Sequence, residues 1–247
     1  MKIFRTAIVV GASSGIGEAI ARQLVVQGTR VALVARREDE LTRLASELNA
    51  VHPNGAMTFV HDVRDFASAP KVLDQAVAAL GGLDILFYAA GVMHLIAESE
   101  YAFAKDRETI EVNLLGAMAW MNPTAARFES VRAGTIVGLS SIAGERGRRG
   151  NPAYTTSKAA LTTYLEALRN RVSRYGVSVV TVKPGYVDTA MTRGLRGLFW
   201  LISAEEAARQ TLALARRGRS GFVPRRWGLV ALVLRMIPSW LFRRLNV

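Results

Sequence analysis

No cysteine occurs in the 247 residues. That excludes a disulfide framework and a thiolate metal site, and it fits a reducing, cytoplasmic setting in which no metal centre is expected. Acidic residues are missing from 207–247, which carry nine arginines, while the rest of the chain holds 23 basic and 20 acidic residues. The net charge of +12 therefore belongs to the tail. No stacking platform accompanies that charge, which argues against a nucleic-acid partner. A long hydrophobic run is also lacking. Residues 227–237 are apolar apart from Arg235 and stop at Pro238, about half of the ~20 residues needed to cross a bilayer. The opening M-K-I-F-R-T-A-I-V-V-G has no signal-like apolar region followed by a cleavage site and reads as a strand. Repeats, low-complexity runs and linker-like segments are absent. Half the chain is hydrophobic, enough for one large core, so a single domain is expected over 1–225, with 226–247 as an apolar, Arg-rich C-terminal extension.

Short apolar, β-branched-rich segments at 6–10, 30–35, 57–61, 84–88, 135–139 and 177–182 alternate with stretches of helical periodicity. This pattern predicts an α/β fold, a doubly wound parallel sheet of about seven strands with helices on both faces, and chemistry at the carboxyl ends of the strands. Ser203 with Glu206 three residues on marks a helix start, and Arg216, Arg217 and Gly218 its end.

Directly after the first strand stands Gly11-Ala-Ser13-Ser14-Gly15-Ile16-Gly17, followed by a helical pattern from 18 to 27. The first glycine permits a tight turn, the second a close backbone approach to a pyrophosphate, and the third packing of the helix on the strand, whose amides then face the anion. The second strand ends at Arg36 and Arg37 with no acidic residue that could accept bonds from both ribose hydroxyls. A guanidinium matches a 2′-phosphate bidentately, so Arg36, together with Arg37, points to NADP(H) over NAD(H). Tyr-x-x-x-Lys occurs twice, as Tyr101 to Lys105 and Tyr154 to Lys158. On a helix each lysine would share a face with its tyrosine and could lower a phenol pKa that is otherwise near ~10.

The Gly-x-x-x-Gly-x-Gly spacing and the segment Ala153-Tyr-Thr-Thr-Ser-Lys-Ala-Ala160 resemble the short-chain dehydrogenase/reductase family over roughly residues 5–225. Val10 stands where the family usually has threonine. The resemblance implies a Rossmann-type fold and hydride transfer between a nicotinamide and a carbonyl or alcohol, with Tyr154 as general acid/base. It also implies Ser141, thirteen residues earlier, as the catalytic serine, Lys158 on the nicotinamide ribose and Asn113 as fourth member, holding a water. Tyr101 has Tyr88 at the serine's offset, so Tyr101 and Lys105 are read as a surface pair. Asp62 and Val63 match the adenine-contacting pair. Pro184, Gly185, Val187 and Thr189 match the stretch that fixes the carboxamide. Where the family has Asn-Asn-Ala-Gly, this chain has Tyr88-Ala89-Ala90-Gly91, which predicts a cofactor loop supported differently.

Segments 92–100, 142–152 and 190–202 are expected to line the substrate pocket, the last as a helical lid. Met93, Leu95, Leu195, Leu198, Phe199 and Trp200 there favour an apolar small molecule or acyl chain. The alternative function is a non-catalytic NADP-sensing regulator of the same fold, and a longer epimerase or dehydratase would need a substrate domain. A homodimer or homotetramer is expected by resemblance alone. Four readings of the tail stay open: a helix buried in the protein or its dimer, a peripheral membrane contact, a lid, or, with Arg146, Arg148 and Arg149, a dock for an acidic acyl-carrier protein.

Overall fold

The computed structural model describes residues 2–195 and 197–245. Met1, Arg196 within the expected lid, and the last two residues of the expected extension lie outside it. Strands β1 (Thr6–Val10), β2 (Arg30–Ala35), β3 (Ala56–Val60), β4 (Ile85–Tyr88), β5 (Thr135–Leu139), β6 (Ser178–Pro184) and β9 (Gly221–Val223) form one sheet in the order β3-β2-β1-β4-β5-β6-β9. Every neighbouring pair is parallel. The central strands are almost wholly buried, as continuous apolar strands must be when helices cover both faces. Two short strands, β7 (Val187–Asp188) and β8 (Ile202–Ser203), pair separately.

One helical layer is α1 (Gly15–Val26), α2 (Glu38–Val51) and α7 (Ala204–Arg217). The other is α3 (Ala69–Leu80), α5 (Gly116–Val131) and α6 (Pro152–Val172). Before α5 lies α4 (Phe103–Ile110), joined to it by a wide π-helical turn over Glu111–Leu115. The start of α7 is as expected: Ser203 Oγ accepts the Glu206 N–H at 3.1 Å, and Gly218 closes the helix in the left-handed region. The order of strands reverses direction between β1 and β4, and Val10 lies opposite both Val34 and Tyr88. The ends of three strands are thus level where such folds bind ligands.

One expectation fails, and the open readings of the tail narrow. Residues 190–201 form turns and bends with no helix among the described residues, because Gly194, Gly197 and Trp200 all take positive φ, which breaks a right-handed helix. The tail forms α8 (Trp227–Met236) and α9 (Ser239–Phe242), but in this chain only Trp227 and Ala231 of α8 are buried. It is not buried within this chain as a core helix, and no described tail residue lines the cleft described below, which speaks against the lid.

Candidate active site

The carboxyl ends of β1, β2, β4, β5 and β6 open on a cleft of about 840 Å³. The turn after β1 is tight because its glycines are required. Gly11 has φ +89°, and a Cβ there would lie 2.4 Å from the Ala90 nitrogen. A Cβ on Gly17 would lie 2.2 Å from the Gly11 carbonyl oxygen, so α1 can close on the turn only with glycine there. Gly15, at φ +58°, approaches Thr189 from the opposite wall. Ser14 makes no side-chain cap to α1, leaving the first-turn N–H groups for an anion. This cradle fits a dinucleotide pyrophosphate.

Nearly all the predicted residues meet at this cleft: Gly11, Ser13, Ser14, Gly15 and Ile16 from the turn, Arg36 and Arg37 after β2, Asp62 and Val63 after β3, and Ala89, Ala90 and Gly91 after β4. Ser141, Tyr154, Lys158, Pro184, Gly185, Val187 and Thr189 complete it. Gly17 and Asn113 stand behind the wall. Arg37 folds over the turn, its Nη2 donating to Ser13 Oγ and Ser14 Oγ, both at 2.8 Å. Arg36 has no hydrogen bond or ion pair among the described residues, and so remains available to an anionic ligand. Asp62 is tied to Arg64 at 2.6 Å, and those bonds hold its carboxyl below the usual range.

Tyr154 sits in the first turn of α6. That turn is fixed by Asn151, whose Oδ1 accepts the Tyr154 N–H at 3.1 Å and whose Nδ2 donates to the His94 carbonyl at 2.8 Å. Four residues on, Lys158 Nζ lies 5.7 Å from the Tyr154 ring centre and donates to the Leu139 carbonyl at 2.9 Å. Its own carbonyl accepts from Ser140 Oγ at 2.8 Å. Ser141 is extended after β5, its Oγ accepting the Ala143 N–H at 3.0 Å. Burial raises the Tyr154 phenol above its ordinary value, opposed by the Ser141 hydroxyl and the Arg148 charge. The expected lowering by Lys158 is not among the causes acting on Tyr154; Lys158 Nζ faces the Leu139 carbonyl, and burial pushes its own pKa down to about 8.

Asn113 occupies the wide turn, fully buried. Its Oδ1 accepts the Val92 N–H at 2.8 Å, and its Nδ2 donates to the Val92 carbonyl and to Ser157 Oγ, both at 3.0 Å. It clamps the strand leaving β4 onto α6. Tyr88 supplies the altered support that its sequence implied: the buried phenol donates to the Val112 carbonyl at 2.6 Å. Its hydroxyl fits only because residue 116 is glycine, where a Cβ would lie 2.6 Å away. The second motif is a surface pair, with Tyr101 exposed and Lys105 bound to Glu100.

On the substrate side, Met93, Leu95 and Leu195 line the cleft as expected. Phe199 and Trp200 instead pack on Trp227 with Tyr186, ring centres 5.0 to 5.7 Å apart. Of the three arginines after Ser141, Arg146 donates to the Leu234 and Ile237 carbonyls and covers the Phe242 ring, and Arg149 lies 3.6 Å from Glu98. Only Arg148 lines the cleft, so the three do not form one open dock. Sequence reasoning missed Ser140 and Asn151, and it read Arg148 only as part of a dock and not as a wall of the cleft. Asn151 was within reach: an Asn before a proline that opens a helix is a recognisable N-cap.

Comparison with known proteins places these features in context. The family described as short chain dehydrogenase matches residues 5–197. An uncharacterized oxidoreductase of Mycobacterium tuberculosis is 29% identical over 241 residues, 96% of this chain and 95% of that one. A short-chain type dehydrogenase/reductase from Mycobacterium ulcerans superposes with a TM-score of 0.82 at 24% identity, covering 90% of each chain. ElxO, solved with NADP bound, gives a TM-score of 0.80 at 20% identity over 90% of this chain and 97% of its own. These two likenesses show the shared fold.

Proposed function

The chain belongs to the short-chain dehydrogenase family of oxidoreductases, and on that premise we propose that it is an NADP(H)-dependent enzyme reducing the carbonyl of an apolar small molecule or acyl chain, with Tyr154 as the acid. The observation that carries this reading is the meeting of Ser141, Tyr154 and Lys158 in the same cleft as the glycine turn and Arg36. When bound, the cofactor would supply a hydride. Tyr154, held protonated by burial, would give its proton to the carbonyl oxygen while Ser141 donates a hydrogen bond to that oxygen. Lys158 would hold the nicotinamide ribose as a compact charge, with Val187 and Thr189 at the carboxamide and Asp62 and Val63 at the adenine. Asn113 would keep the chain under the cofactor in place and present the lysine side with a water. A non-catalytic sensor would need neither the tyrosine nor the lysine, and both are present. Homo-oligomerisation is proposed on the family ground alone.

Paired fluorescence titrations with NADPH and NADH test the cofactor. NADPH is expected to bind more tightly, and Arg36→Ala to weaken it by roughly 10- to 100-fold, the value of a charge-assisted pair, with little change for NADH. If neither cofactor bound, the enzyme reading would be lost, and the NADP-sensing reading with it.

A second expectation concerns pH. The Lys158 ammonium loses its proton near pH 8 in the free enzyme, while Tyr154 stays protonated above its ordinary value. Since the charged lysine is the form that holds the ribose, kcat/KM for reduction should be level below about pH 8 and fall above it. A profile flat through that value, recorded with a substrate lacking ionisable groups, would show that the lysine's charge is not needed.

A further inference from the structure

The tail carries an apolar face that no described residue of this chain covers. On α8, Trp227, Ala231 and the partly buried Val230 and Leu234 turn inward. Trp227 fills the space beside Gly185, where a Cβ would lie within 2 Å of its indole. The opposite stripe is also apolar: Leu229 is 72%, Val233 58% and Met236 73% exposed, with Leu232 between them and Trp240 at 57% on α9. These α8 residues are spaced i, i+3, i+4 and i+7, one side of a helix. Arg235, the only charged residue within α8, pairs inward with Glu145, whose carboxylate is buried and also held by Lys183 at 2.7 Å. Arg146 fastens the end of α8 from below. The helix is therefore moored rigidly on one side and left bare on the other.

Charge decides what fits the bare side. Arg225, Arg226, Arg243 and Arg244 are exposed around it, and the whole stretch 207–247 contains no acidic residue. A two-fold contact with a second copy would bring these unneutralised cations together, because such an interface is self-complementary. No described helix is long and apolar enough to cross a membrane, and α8, at ten residues, is roughly 15 Å long. We propose that α8 and α9 dock this protein flat on an anionic lipid bilayer, the exposed leucines, Val233, Met236 and Trp240 entering the interfacial region and the flanking arginines meeting the headgroups. The aromatic cluster of Tyr186, Phe199, Trp200 and Trp227 joins this face to the wall of the cleft, since Tyr186 lines it.

Vesicle flotation of the full chain tests the proposal, with phosphatidylcholine alone and with phosphatidylcholine mixed with phosphatidylglycerol. The protein should float with the anionic vesicles at low salt and lose most of that binding at high salt. Arg243→Gln with Arg244→Gln should lower partitioning by roughly 30-fold, and Leu232→Glu with Val233→Glu should abolish it. All four side chains are exposed, so the thermal melt of each variant should match the parent. Failure of the parent protein to float at low salt would overturn the proposal. So would flotation that both double variants retain, or a dimer seen by light scattering that Leu232→Glu with Val233→Glu dissociates, which would assign the face to a second copy. Each readout is independent of cofactor binding or turnover.

Discussion

Tyr154→Phe is expected to bind NADPH nearly as well as the parent enzyme and to reduce carbonyls roughly 10²- to 10⁴-fold more slowly, the range for loss of a general acid. The substitution removes one oxygen from a residue whose backbone is pinned by Asn151 and whose half-buried ring lies beside Lys158, so the cleft should keep its shape. Lys158 remains bonded to the Leu139 carbonyl and can still meet a ribose. The loss should therefore fall on turnover and spare affinity, which single-turnover kinetics with saturating NADPH separates from binding. Turnover close to that of the parent would remove Tyr154 from the mechanism.

Gly11→Ala should have the next largest effect, and on a different quantity. At φ +89° any side chain is strained, and the new Cβ would lie 2.4 Å from the Ala90 nitrogen and 2.7 Å from the Ala89 carbonyl carbon. Both obstacles are backbone at the end of β4 and cannot rotate away. The first turn and the chain after β4 must separate, which opens the pyrophosphate cradle. A cost of about 1–3 kcal/mol for the backbone strain alone, with the displacement added, predicts a clearly lowered melting temperature and NADPH affinity reduced by tenfold or more. Gly28 also has positive φ but no neighbour within 4 Å, so Gly28→Ala provides a strain-only control. If the two variants bound NADPH equally well, the close approach at Gly11 would not matter to the cofactor.

The sheet could be read from the sequence because its strands are buried on both faces and spell their positions as unbroken apolar runs. β9 could not: three residues, Gly221–Val223, pair only with the last part of β6, and no periodicity exists over so short a span. The glycine turn and the Tyr154 helix were legible because their chemistry depends on residues close together along the chain. Tyr88 was legible only as a departure. Its work as a brace depends on Gly116 and the Val112 carbonyl, which folding alone brings to it. The expected lid shows the opposite error. Phe199 and Trp200 are apolar as expected, but apolar character does not say which neighbour will take them, and here it is Trp227. A helix was one of the four readings left open for the tail, and α8 and α9 are helical. Its bare face was beyond reach, because a pattern reports which residues avoid water and not whether something is there to cover them.

The wide turn at Glu111–Leu115 has a further consequence. Helices α4 and α5 run on through it without a break, yet a π turn holds one residue more than an α turn. One residue is about 100° of rotation, so the two halves are out of phase by nearly a third of a circle. α4 can thus lie against α6 while α5 lies against α3, each with its own apolar side inward. The extra residue works as a phase shifter on a single shaft, and the position it frees is taken by Asn113 facing the interior. Removing one residue from this turn would bring the halves into step and rotate either the clamp on Val92 or the packing of α5 out of place. Both ends of the helix would remain helical, and the damage would be one of alignment.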